Sequence, residues 1–111
     1  MVVDLGFGTT DVTSIVTAVS EICRNMIVYA GGGEFVVRTI RSAGELGIEA
    51  VARDFGPGIP DVPRALMDGF STSGGLGMGL PGVRRLMDEF DIRSKPGDGT
   101  VVTVRKWLVR K

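Results

Sequence analysis

Glycine cuts this chain into patterned segments whose order does not fit an alternating strand–helix–strand fold. Seventeen of its 111 residues are glycine, gathered at 31–33, at Gly56 and Gly58, within 74–82, and at Gly97 and Gly99. Between Thr10 or Asp11, the expected N-cap, and Gly31, the residues Val12, Ile15, Val16, Val19, Ile22, Cys23, Met26 and Ile27 recur at helical spacing. Residues 34–42, with Phe35, Val36, Val37 and Ile40, read as a strand. A turn at 44–47 leads into a second strand at 48–54, which is a hairpin pattern. Asp61 caps a short helix through roughly residue 68, with Pro63 in the first turn, where proline is tolerated. Residues 71–79 read as loop. Pro81 then opens a helix carrying Val83, Leu86, Met87 and Phe90; 92–95 is a short strand, 96–99 a turn, and 100–109 a β-branched final strand. The order α-β-β-α-α-β-β predicts an α+β fold, a two-layer sandwich of helices on a largely antiparallel sheet. No repeat or linker interrupts it, so residues 1–111 are expected to form a single domain, burying roughly two-thirds of the unfolded surface.

Composition narrows the chemistry. Thirteen basic and thirteen acidic residues balance, which argues against a nucleic-acid or membrane partner held by bulk charge. Cys23 is the only cysteine, so no intrachain disulfide or multi-thiolate zinc site can form. Histidine is absent, which removes Ser-His-Asp catalysis, phosphohistidine and imidazole ligation. Any general base must be carboxylate, lysine, tyrosine or thiol. The sequence shows no signal peptide and no apolar run long enough to span a bilayer. With an unpaired thiol that suits a reducing compartment, the expected location is the cytoplasm.

Three constellations remain. Glu21 and Asn25 lie four residues apart, side by side on the helix and nearly opposite an apolar stripe centred on Val19 and Met26. Alone, such a pair is most often a solvated face. In a functional site the carboxylate can accept a proton or orient a water. The amide oxygen can ligate Mg²⁺, which commonly fills its other positions with waters and phosphates. Asp54 ends the second strand on the face of Ile48, Ala50 and Ala52. A carboxylate there needs a donor partner, and a purine exocyclic amine would supply one. Gly56 and Gly58 permit turn dihedrals or close approach of a flat ring; an Asp-capped type II turn explains the same residues. Finally, 77–82 spells G-x-G-x-x-G, yet Ser71-Thr72-Ser73 precedes it instead of an apolar strand. It is no Walker loop either, because none of Lys95, Lys106 and Lys111 follows a glycine run. A loop ending at a helix start near Leu80 or Pro81 could still offer free amides to phosphates; a flexible surface loop is the plainer reading. Taken alone, Thr100 reads as a strand residue, Trp107 as core or partner surface, Arg84 and Arg85 as a solvated helix face, and Cys23 as a small apolar core residue.

Assembled, these residues resemble the GHKL superfamily of ATP-binding domains, and most closely the bacterial anti-sigma-factor serine/threonine kinases of the RsbT-type stressosome switch. The likeness runs through Gly6-Phe7-Gly8, 21–25, 54–60, the long 68–83 segment, 85–90 and Lys106-Trp107-Leu108. It implies a Bergerat-type fold, ATP and Mg²⁺ as cofactors, and transfer of phosphate to a protein hydroxyl. By the same resemblance Glu21 is the general base, Asn25 the Mg²⁺ ligand, and Asp54 the acceptor for the adenine amine. Gly56, Gly58 and Ile59 would floor the ring, and Thr100 would stand beside it. Residues 72–80, including Thr72, Gly75, Gly77, Met78, Gly79 and Leu80, would cover the phosphates. The implied partners are STAS-domain scaffold or antagonist proteins and a PP2C-type phosphatase.

The sequence departs from that family in three places. Relatives carry a strand and helix before the Gly-Phe-Gly segment, whereas this sequence begins Met1-Val2-Val3-Asp4. We therefore expect those elements to be missing, leaving a sheet edge open or a helix uncovered. Tyr29-Ala30 stands where many relatives have a histidine, and nothing basic lies between Asp68 and Arg84, leaving Arg24 as the candidate to balance γ-phosphate charge. Two rival functions use the same motifs: a nucleotide-sensing module that switches partners without catalysis, and simple ATP hydrolysis.

Overall fold

The computed structural model describes residues 6–58 and 79–108. Helix α1 (Thr9–Ala30) is followed by the hairpin of β1 (Glu34–Ser42) and β2 (Glu45–Asp54), then by α2 (Gly79–Leu86), β3 (Glu89–Lys95) and β4 (Gly99–Trp107). The strands form one sheet in the order β1-β2-β4-β3, every pairing antiparallel. Both helices lie on one face of it: α1 packs on α2, β2 and β4. This is the expected two-layer α+β architecture. The short helix expected at 61–68 and the loop at 71–79, up to the start of α2, lie outside the described residues, as do residues 1–5.

Helix α1 begins earlier than its side chains suggest. Gly8, not Thr10 or Asp11, is the N-cap, extended at φ −70° and ψ 167°, and its carbonyl accepts the Val12 N–H at 2.9 Å. At the other end Gly31 takes a left-handed φ of 75°, and the Gly31 and Gly32 amides return to the carbonyls of Ile27 and Met26, which stops the helix. The buried stripe is Ile15, Ala18, Ile22 and Met26, while Val16 and Ile27 are exposed. At about 100° per residue its centre sits at Ile22, rotated away from the expected centre at Val19 and Met26. Glu21 and Asn25 therefore stand at the border of the core rather than opposite it: Glu21 is only 7% exposed, and Asn25 is half-buried.

The β1–β2 turn is tighter than 44–47. Ser42 pairs with Glu45 across Ala43 (φ 52°) and Gly44 (φ 80°), a two-residue turn of the kind that needs positive φ at both positions. Gly47 lies within β2, where a Cβ would come 2.7 Å from the Trp107 indole. Helix α2 stops at Leu86, so Phe90 belongs to β3, opposite Val104, and not to the helix. The cause is remote in sequence. The Lys106 ammonium donates to the Leu86 carbonyl at 3.0 Å and to Asp88 at 3.4 Å, while the Asp88 N–H reaches the Arg105 carbonyl at 2.9 Å. These contacts terminate α2 and feed the chain into the sheet edge.

Alternation divides the sheet cleanly. Ile48, Ala50, Ala52, Val102 and Val104 face the helices and form the core with Phe7, Ile15, Ala18, Ile22, Met26, Val83 and Met87. On the other face a row of charges crosses all four strands. Glu49 accepts Arg38 Nε on one carboxylate oxygen and Arg105 Nε on the other, each at 2.7 Å, and Arg105 continues to Glu89 at 3.2 Å. The Trp107 indole N–H also donates to Glu89. Burial pushes the Glu49 carboxyl up, but the hydrogen bonds and charges of Arg38 and Arg105 outweigh it and hold it below its ordinary 4.5. A depressed carboxyl stabilises the fold fully above its unfolded value, and that stability drains away as pH falls through the lower folded value. Replacing Glu49 with glutamine should therefore cost about 1–3 kcal/mol at neutral pH. It should also flatten the acid limb of stability against pH below about 4.5, measured by urea unfolding at stepped pH; an acid limb as steep as wild type would count against this assignment.

Candidate functional site

The site is organised by the end of β2. Asp54 turns one carboxylate oxygen, Oδ1, back onto the protein, where it accepts the Gly56 N–H at 3.0 Å and the Thr100 N–H at 3.2 Å. The first bond closes an Asx-turn, a side chain imitating a backbone turn, and the second ties β2 to the start of β4. No described residue donates to Oδ2, and the side chain is half-buried. One oxygen is thus structural, and the other has no donor among the described residues.

Glycines let two turns close on each other here. The Gly97 N–H reaches the Pro57 carbonyl at 2.8 Å. Gly58 (φ 79°) runs so close to the Lys95 carbonyl that a Cβ would overlap it, and Gly99 (φ 82°) meets the Asp54 carbonyl in the same way. A Cβ on Gly56 would lie 2.6 Å from the Ala30 Cβ at the end of α1. Gly56 and Gly58 are therefore demanded by the protein's own packing, whatever further room they leave for a ring.

Glu21 and Asn25 lie along α1 from that point. At about 1.5 Å per residue, Asn25 and Glu21 are about 8 and 14 Å before Ala30, the residue against Gly56. One helix thus connects the Asp54 end of the site to a carboxylate–amide end, a layout suited to an elongated ligand. Arg24 Nη1 lies 3.3 and 3.4 Å from the two Glu21 oxygens, so the candidate phosphate partner is tied to the candidate base. Among the described residues no group of three or more Asp, Glu, Cys or His gathers to hold a metal. A half-buried amide beside a single carboxylate fits Mg²⁺ carried mainly by waters and phosphate oxygens, and not a cation caged by protein.

Other expected positions divide. Thr100 is buried at the head of β4, directly opposite Asp54. Gly79 and Leu80 form the first turn of α2, with Leu80 buried, so Leu80 belongs to the helix packing. Ile59, Thr72, Gly75, Gly77 and Met78 lie outside the described residues. The sequence reading missed Ser94, whose hydroxyl is 2.8 Å from that of Thr100. Pairing across the 96–98 turn could have found it, since Lys95 opposes Gly99 and Ser94 opposes Thr100. Arg84 and Arg85 are exposed and Cys23 half-buried. Burial pushes the Cys23 thiol up, which keeps it protonated and unreactive.

The fold and this site define a histidine kinase-like ATPase domain: the model of that family matches residues 3–106, and the chain belongs to it. Within the family it is 52% identical to the serine/threonine-protein kinase RsbT of Bacillus subtilis (strain 168), over 95% of this chain and 79% of that one. It is 35% identical to the anti-sigma F factor of Caldanaerobacter subterraneus subsp. tengcongensis, over 90% of this chain and 73% of that one. The structure of the mycobacterial sensor histidine kinase MprB superposes with a TM-score of 0.62 at 21% identity, over 86% of this chain and 70% of that chain; this is a likeness of fold.

If the glycine clasp is structural, Gly58→Ala should lower the stability of the nucleotide-free protein by about 1–3 kcal/mol, the usual cost of a strained backbone position. Urea unfolding without nucleotide measures this. Unchanged stability would mean that the glycine serves a ligand alone.

Proposed function

We propose that this chain is an ATP- and Mg²⁺-dependent serine/threonine protein kinase of the partner-switching type. The observation that carries the reading is Asp54, pinned through Oδ1 by two backbone amides with Oδ2 left to accept the adenine amine. The identity to a named serine/threonine-protein kinase over nearly the whole chain supports it. In this reading Glu21 takes the proton from the acceptor hydroxyl as its oxygen bonds to the γ-phosphorus, the bond to the β–γ bridging oxygen breaks, and ADP leaves with that oxygen. Asn25 would hold Mg²⁺, which would supply neutralisation of phosphate charge when bound. Catalysis is then mostly positioning and charge stabilisation, as is general for phosphoryl transfer. Arg24 holds Glu21 in place and lies within reach of the same end of the ligand. STAS-domain proteins are the proposed acceptors and a PP2C-type phosphatase the partner engaged on release. Resemblance supports both, as it does a cytoplasmic, stressosome-linked setting. Among the described residues no helix is long and apolar enough to cross a membrane.

Two substitutions separate binding from transfer. Asp54→Asn keeps a carbonyl oxygen for the two backbone amides but places an NH₂ where the purine amine needs an acceptor. Calorimetry should show ATP binding weakened by about 10- to 100-fold; unchanged affinity would remove the nucleotide reading. Glu21→Ala should abolish label transfer from ATP to a STAS protein while ATP affinity stays within about threefold, the base acting on the acceptor and not on the nucleotide. Transfer at the wild-type rate would show that the base is misassigned. Wild-type binding with no transfer to any STAS protein would favour a nucleotide-sensing switch without catalysis.

A further inference from the structure

Beside Asp54 stands a pair of hydroxyls bonded to each other. Asp54, Thr100 and Ser94 lie in register on β2, β4 and β3, in one row on the helix-facing side of the sheet. Ser94 Oγ donates to the Gly99 carbonyl at 3.1 Å and lies 2.8 Å from Thr100 Oγ1. A hydroxyl has one proton, and a carbonyl can only accept. Both bonds are made together only when Ser94 gives its proton to Gly99 and Thr100 gives its own to Ser94. Thr100 is then left with lone pairs alone. We propose that Ser94, through this bond, makes Thr100 an obligate acceptor and thereby selects 6-amino over 6-oxo purines in the site.

The inference rests on the nucleotide reading above and adds a specificity residue to it. Asp54 is an acceptor by its charge. A threonine hydroxyl is not, because it can rotate to donate to whatever faces it. Freed from Ser94, Thr100 could turn its proton toward a 6-oxo group and welcome inosine or guanine nucleotides. Held by Ser94, it joins Asp54 in presenting two acceptors, which suit the two N–H bonds of an adenine amine and repel a carbonyl. A site that leaves a buried polar group mispaired discriminates strongly. Ser94 touches no ligand atom in this scheme and acts only as a positioning residue.

The test compares Mg-ATP with Mg-ITP, which differ only at purine position 6 and the adjoining N1 proton, by calorimetry on the full chain. Wild type should prefer ATP. Ser94→Ala should shrink the ATP-to-ITP affinity ratio by about 5-fold, the equivalent of one net hydrogen bond. Ser94→Thr, which keeps the hydroxyl, should restore it. Ser94→Cys is near-isosteric but a weak acceptor, so it should shift the ratio as alanine does and serves if the alanine variant does not fold. A general loosening of the fold would weaken both nucleotides alike and leave the ratio untouched. An unchanged ratio in Ser94→Ala or Ser94→Cys overturns the proposal. So does a wild type that binds both equally, which leaves the nucleotide reading standing. A wild type that binds neither overturns both.

Discussion

A single carboxylate oxygen, Asp54 Oδ1, receives amides from both sides of a strand junction, and the geometry of the site follows from those two bonds. The Gly56 amide bends the chain out of β2 toward the end of α1, and the Thr100 amide holds the head of β4 against it. Gly58 and Gly99 then nest against carbonyls of the opposite turn at separations no side chain would allow. Were Asp54 a hydrophobic residue, both amides would lose their partner, and the two turns would keep the Gly97–Pro57 bond but lose this tie beside it. In the proposed reading, fold and recognition share this side chain, with the labour split between its two oxygens.

The opposite face of the sheet shows a different solution to burying charge. Glu49 is 3% exposed, yet each of its oxygens is matched by an arginine, and the row extends to the β3 edge through Glu89. A lone carboxylate there would be costly. The row links all four strands through side chains, in addition to their backbone ladders, and so favours this register over a slip by one residue.

Much of the fold was legible in the sequence because the apolar periods and the glycines agree. The hairpin, the final strand and the stop of α1 at Gly31 lie within a few residues of their expected places. Asp54 stands where a period-two count puts it. Several of the errors share one cause: the deciding contact was far away in the chain. Phe90 fits the helical spacing of Val83, Leu86 and Met87, but Lys106 and Asp88 end the helix first. The stripe on α1 was set one side chain off because Val16 and Ile27 count as core in any hydropathy pattern, although the sheet never covers them. That rotation hid the burial of Glu21. Ser94 was missed because one serine in a short strand means nothing until its pairing with Thr100 is known.

Helix α1 touches the Asp54 turn at Ala30 and carries Asn25 and Glu21 about one and a half and two and a half turns further back. It is a ruler as well as a wall. Adding one residue between Asn25 and Ala30 would swing both polar side chains by about 100°, even with every residue type retained. A flexible loop can grow with modest cost; this five-residue interval cannot. Length itself, over that short span, is part of the site.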